Sequence, residues 1–320
     1  MIAAWKNLLF LILPAALQAQ VGVQGKTGAP PDANTLDRLE ITRPGTYENL
    51  IIDGGWKSGN LVKITADDVI LRNIEIRHSS GNAVGVFGNR VTIENCRIHH
   101  LLNGSYDKQQ DAHGISRRWA DITIRNCDIS HPSGDCIQFD PDRRSSGRIV
   151  VENCTLWTSP LESDMAGFKA GQRPGENAID TKVKADGPRC QLIIRNCHFH
   201  GWNQPAQIDN VAALNLKENV DAEVSRCVFQ NNQIAIRARG PGPRGGAHVT
   251  VTDCAILDTQ TGVRAEDRIE VLKLIRLGYG GDIGQRVQFV QGKSATGVEI
   301  RGEHEAPAPD SLLKNGFPTP

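Results

Sequence analysis

Residues Gly175–Lys182 read GENAIDTK, which sets two carboxylates, an amide and a lysine within eight positions, with Ala178 and Ile179 as the apolar pair. Groups of these types gathered in one place transfer protons and hold charged ligands. A lysine without its proton abstracts one, carboxylates bind cations, and an arginine fork grips a carboxylate. The same types recur at Asp111, His113, Arg118, Asp135, Gln138, Asp140, Lys169, Arg173, Lys217, Arg237 and Arg239, some of them dozens of residues apart. A site built from them needs a backbone that returns the chain to one face many times.

An internal repeat supplies that backbone. VILRNIEIRH (Val69–His78) returns as VTIENCRIHH, ITIRNCDISH, IVVENCTLWT, LIIRNCHFHG, AEVSRCVFQN and VTVTDCAILD. Aligning Ile74 with Cys96, Cys127, Cys154, Cys197, Cys227 and Cys254 gives spacings of 22, 31, 27, 43, 30 and 27 residues. The shortest unit is therefore about one coil, and the longer ones carry loops. Each unit holds a β-branched alternating strand, an asparagine corner, a second short strand and a third such as HGISR, GDCIQF, AIDTK, ALNLK, AIRAR or GVRAE. Three strands per turn with no helical periodicity describe an all-β parallel solenoid.

Alternation in the third strand predicts the site. With Ile115, Ile137, Ile179, Leu214, Ile236, Val263 and Val298 inward, the outward row is Ser116, Gln138, Asp180, Asn215, Arg237, Arg264 and Glu299. Two residues on, also outward, come Arg118, Asp140, Lys182, Lys217, Arg239, Glu266 and Arg301. Coils about 4.8 Å apart then put Lys182 between Asp140 and Lys217, and Asp180 between Gln138 and Asn215. Asp111, His113, Asp135, Glu176 and Asn177 fall at the heads of these strands. The preceding loops, LLNGSYDKQQDA and SPLESDMAGFKAGQRP, wall a groove over which Lys169 and Arg173 reach. The competing expectation is an ordinary polar solenoid face whose charges form cross-strand pairs.

Three further ladders read as structural. Six of the eight cysteines share one repeat position, which predicts stacked, buried, free thiols, with Cys136 and Cys190 outside the column as the exceptions. Asparagines just before Ile74, Cys96, Cys127, Cys154 and Cys197 predict an amide ladder. His78, His100 and His131 predict an imidazole stack.

The repeat and its strand pattern resemble the right-handed parallel β-helix of the pectate-lyase-like superfamily, from Pro44–Gly54 to Gly297–Gly302. The resemblance implies a polysaccharide lyase acting on a uronate polymer by β-elimination, with Lys182 as base and Asp180, Arg237 and His113 beside it in the catalytic group. It also implies Ca²⁺ held by Asp135, Asp140, Asp180 and Glu176, and substrate contacts from Arg237, Arg239, Lys217, Gln138, Asn177, Lys169 and Arg118. Phe139–Gly147 (FDPDRRSSG) is similar to the DPHDRS-type segment of alginate C5-epimerases, with Asp142 and Arg143 departing from it. Asp140 and Asp180, one coil apart, also fit the carboxylate separation of an inverting glycoside hydrolase. A glycan-binding β-helix without catalysis is the remaining class, for which Trp119, Trp157 and Trp202 are the available aromatics.

Residues 1–19 have the pattern of a secretory signal peptide, residues 20–302 that of one β-helix domain, and the Pro-rich residues 303–320 that of a loose tail. A secreted or periplasmic, monomeric protein is expected. The 36 basic and 36 acidic side chains cancel, which argues against nucleic acid and anionic membranes as partners.

Overall fold

The computed structural model describes residues 20–118, 121–140, 147–183, 187–203, 211–243, 245–290 and 297–317, and of residues 117, 118 and 140 only the backbone. The signal segment and most of the epimerase-like segment lie outside the described residues. The chain winds as a parallel solenoid, consistent with three strands per coil. The first and second strand rows merge into one 19-stranded sheet, and the third row forms a ten-stranded sheet. Paired residues in the third sheet follow the predicted register: Ile115 with Ile137, then Ile179, Leu214, Ile236 and Val263. The last coil differs. Val287 pairs with Val263, whereas Val298 pairs with Leu272 in the first row, so Glu299 and Arg301 are not on the site face. QRVQF and GVEIR both alternate, and alternation alone does not say which row a strand joins.

The corners explain the asparagines. Asn49, Asn73, Asn95, Asn126, Asn153 and Asn196 all have φ between 51° and 59°, the left-handed region that asparagine tolerates better than most residues. Stacked copies also bond to one another: Asn126 Nδ2 donates to Asn95 Oδ1 (2.9 Å), and Asn73 Nδ2 to Asn49 Oδ1 (3.2 Å). In later coils the column continues as charged pairs, with Arg276 Nε donating to Asp253 Oδ1 at 2.6 Å. His78, His100 and His131 occupy the opposite corner, also at positive φ. Their stack is longer than predicted. His100 and His131 lie parallel at 4.9 Å, Trp157 meets His131 edge-on at 4.7 Å, and His200 stacks on Trp157 at 5.4 Å.

Isoleucine, valine and leucine from all three rows fill one continuous core along the axis. All eight cysteines are free and buried, Cys136 and Cys190 included. Burial pushes the Cys127, Cys136, Cys154, Cys190, Cys197 and Cys227 thiols up, and the buried column behaves as small apolar residues. Within the described part of the expected loose tail, His304–Glu305 pairs onto Gly278–Gly280, and a helix spans Pro309–Asn315. Its Leu312 is buried with Val21, Val228, Ala255 and Leu257, which ties the two ends of the described chain together. Leu102, Leu161 and Phe168 form a small second core that fixes the two long loops to each other.

Candidate active site

The third-sheet row lies outside the solenoid core yet is buried. Ser116, Gln138, Asp180 and Asn215 are each at most 4% exposed, so they form the floor of a groove. Ser116 Oγ and Asn215 Oδ1 lack hydrogen-bond partners among the described residues, an uncommon state for buried polar atoms in a native fold. Asp180 sits at the centre with Lys217 Nζ 3.0 Å from Oδ1 and Lys182 Nζ 3.8 Å from Oδ2. Lys182 also donates to Gln138 Oε1 at 2.8 Å. Burial raises the Asp180 carboxyl above the ordinary carboxylate range, and Lys217 opposes that shift. GENAIDTK therefore delivers Asp180 and Lys182 to a point where two lysines from successive coils share one carboxylate.

At the strand heads the acids are packed differently. Asp135 is fully buried and Asn177 Nδ2 donates to its Oδ1 (2.9 Å). The Asp135 backbone N–H donates to His113 Nδ1 (2.9 Å), which leaves the ring proton on Nε2, 3.7 Å from Asp111 Oδ2. Burial, with Glu176 and Asp180 nearby, drives the Asp135 carboxyl well above its usual range, which favours its acid form beneath the groove. Glu176 is only partly buried. Its carboxyl is raised first by burial and then by Asp180 and Asp111.

On the other side of Asp180 the groove is cationic. Glu266 receives Arg237 bidentately (3.0 and 2.9 Å) and lies 2.8 Å from Arg264 Nε, while Arg239 Nε donates to Asp267 Oδ2 at 3.0 Å. Three guanidiniums thus face two carboxylates. A cleft opens beside them, lined by Lys217, Glu218, Arg239, Gly240, Gly242, Pro243, Gly245 and Asp267.

The structure brings Lys182, Asp180, Lys217 and Gln138 together as predicted and reassigns several other residues. His113 and Asn177 are buried and hold Asp135 rather than face a ligand. Lys169 pairs with Asp164 inside its own loop (2.8 Å), and Arg173 donates to Gly201 O, so neither is shown reaching across the groove. Arg237 and Arg239 are held by Glu266 and Asp267. The side chains of Arg118 and Asp140 lie outside the described residues. Trp202 is buried and Trp157 belongs to the ring stack. Glu218, Asp267, Gly240, Gly242, Pro243 and Gly245 were missed by sequence reasoning, because loop residues have no repeat register to place them.

A calcium ion does not fit the described residues. No three acidic, histidine or cysteine side chains among them converge on one point. Asp135 accepts from Asn177 on Oδ1 while burial favours its acid form, and the Lys182 and Lys217 amino groups lie against Asp180. An oxygen-seeking divalent ion needs several charged or carbonyl oxygens there instead.

Residues 60–206 match the family described as right handed beta helix region. Among solved structures, the chain is similar to pectate lyase Pel9A, at 13% identity and a TM-score of 0.52 over 88% of this chain and 68% of that one. It is also similar to an alginate lyase from Paenibacillus sp. str. FPU-7, at 14% identity and a TM-score of 0.50 over 85% of this chain and 99% of that one. No curated protein matches the sequence. The chain is a right-handed parallel β-helix of the pectate-lyase-like fold.

Proposed function

We propose that the protein is an exported enzyme that cleaves a uronate-containing polysaccharide by β-elimination. The observation that carries this reading is the pair of lysines from successive coils meeting over buried Asp180, with a surplus of guanidinium charge on the next coils. Elimination requires the substrate carboxylate to be neutralised before the proton beside it is removed, and such a groove offers cations for that step. The solved neighbours named as pectate and alginate lyases lend support through their shared fold.

In this reading Lys182 enters as the free amine and takes the proton next to the uronate carboxylate, with Gln138 and Asp180 fixing its direction. Lys217 and Arg264 face the carboxylate as negative charge grows on it. The released electron pair forms the ring double bond and expels the glycosidic oxygen, which is protonated by Glu176, the partly exposed carboxyl whose acid form its surroundings favour. Exchange with water returns both groups to their starting states.

The test is ultraviolet absorbance during incubation with pectic, alginate and glycosaminoglycan polymers, because only elimination creates the absorbing double bond. Reducing ends without absorbance identify a hydrolase, and neither signal leaves the epimerase or the binding protein.

A further inference from the structure

Two nitrogen ligands converge outside the groove, at the corner that closes the second strand row. His99 and His100 are consecutive, and in a straight strand their side chains would point to opposite faces. At this corner His100 has a φ of 56°, and the left-handed turn brings both rings to one side: their Nδ1 atoms are 2.6 Å apart, with the ring planes at 80°. The equivalent pairs on neighbouring coils are Arg77–His78, Ser130–His131 and Trp157–Thr158, so only this coil among the four sets two imidazoles side by side.

The surroundings fix which nitrogens carry protons. Glu75 Oε1 lies 3.0 Å from His99 Nε2 and accepts from Arg77 Nη1 at 2.8 Å. Burial opposes ionisation of Glu75, but His99 and Arg77 hold its carboxyl below the usual range, so it accepts and the His99 proton is on Nε2. His99 Nδ1 is then a bare lone pair to which His100 Nδ1–H donates. A histidine whose far nitrogen is held by a carboxylate has the orientation that metal ligation uses. Burial, the largest cause, lowers both imidazoles, which keeps them neutral near pH 7 as ligation requires. Arg97 opposes a cation at this corner, while Glu75 and Glu162 favour one.

We propose that His99 and His100 bind a late first-row transition-metal ion, Cu²⁺ foremost, through their Nδ1 atoms. The ion takes the place of the shared proton, which moves to Nε2 of His100. Two nitrogens about 2.0 Å from an ion and at a right angle to each other are about 2.9 Å apart, so the pair opens by only a few tenths of an ångström. His100 is the half-exposed ring, and it supplies that movement and the ion's entry. Two imidazoles are fewer ligands than a closed structural zinc site requires, whereas a tetragonal Cu²⁺ completes its shell with water. Neither histidine is on the third sheet, so copper binding and elimination are tested apart.

Chelator-stripped protein is titrated with Cu²⁺ by calorimetry at pH 7, and the complex is frozen for electron paramagnetic resonance. The expected result is one ion per chain at micromolar affinity, with hyperfine coupling from two nitrogens. His100→Asn, a side chain suited to the positive φ, should abolish micromolar binding. Glu75→Gln keeps an acceptor for His99 without its charge and should weaken binding by roughly tenfold or more. His304→Ala removes an exposed histidine at the other end of the chain and should change nothing. Melting temperatures without copper verify that each variant folds. Undiminished binding by either His100→Asn or Glu75→Gln overturns the site, so one folded variant of the two is enough to decide. The absence of micromolar binding by the wild type, a resonance without nitrogen coupling, or an equal loss in His304→Ala overturns it as well.

Discussion

Lys182 and Asp180 differ in what their loss should do, because one is half-exposed and the other sits on the groove floor. Lys182→Ala should leave the melting temperature nearly unchanged and lower turnover by roughly 10² to 10⁴, the usual contribution of a positioned proton-transfer group. Near-normal turnover on a cleaved substrate would remove Lys182 from the mechanism. Asp180→Ala instead strands the Lys217 ammonium against a buried floor, so it should cost on the order of 3 kcal/mol in denaturant unfolding as well as activity. A loss below about 0.5 kcal/mol would mean that water already solvates the pair. Outward placement of Asp180 was legible in the alternation of AIDTK, but its burial was not. Period two distinguishes core from outer face, whereas burial on the outer face depends on walls built from loops.

The strand rows were legible because each repeats a pattern that one physical constraint enforces. A left-handed corner selects asparagine, a tight inward position selects cysteine, and the opposite corner accumulates rings. That ring ladder gives the fold an acid-sensitive seam. Burial, the largest cause, lowers His99 and His200 to about 4 and His131 and His198 to about 3, from an ordinary value of about 6.5. The unfolded chain then binds more protons than the native one between about pH 6.5 and 3. These groups contribute stability above that window and lose it as pH falls, on the order of 2 kcal/mol per histidine at pH 5. The raised carboxyls of Asp135, Glu176 and Asp180 act oppositely, contributing stability at low pH that is lost as pH rises through their folded values. The histidine share is isolated by comparing denaturant midpoints at pH 7 and pH 5 for the wild type and His131→Asn, a side chain suited to the positive φ of that corner. A smaller acid loss in the variant is expected, and an equal loss would exclude His131 as a contributor. The ladder also predicts a redox property: denatured protein without reductant should expose eight titratable thiols, and a count near zero would contradict the free column.

Across the whole molecule, charge is balanced but segregated within the groove, with the carboxyls of Asp135 and Glu176 raised at the strand heads and cations along the strands beyond Asp180. Sequence resemblance pointed to calcium because carboxylates occupy the right row. What it could not show is the identity of the groups lying against them, since Lys182 and Lys217 reach back to Asp180 through side-chain conformation rather than register. An ion that bound the native state alone at ~100 times its dissociation constant would add about 2.7 kcal/mol of stability. With the Lys182 and Lys217 amino groups already against Asp180 and burial favouring the acid form of Asp135, the melting temperature should be the same in millimolar calcium as in chelator, and turnover on the cleaved polymer should survive the chelator. A shift of several degrees upward in calcium would show that the lysines yield to the ion, and a loss of turnover in chelator would return charge neutralisation to a metal.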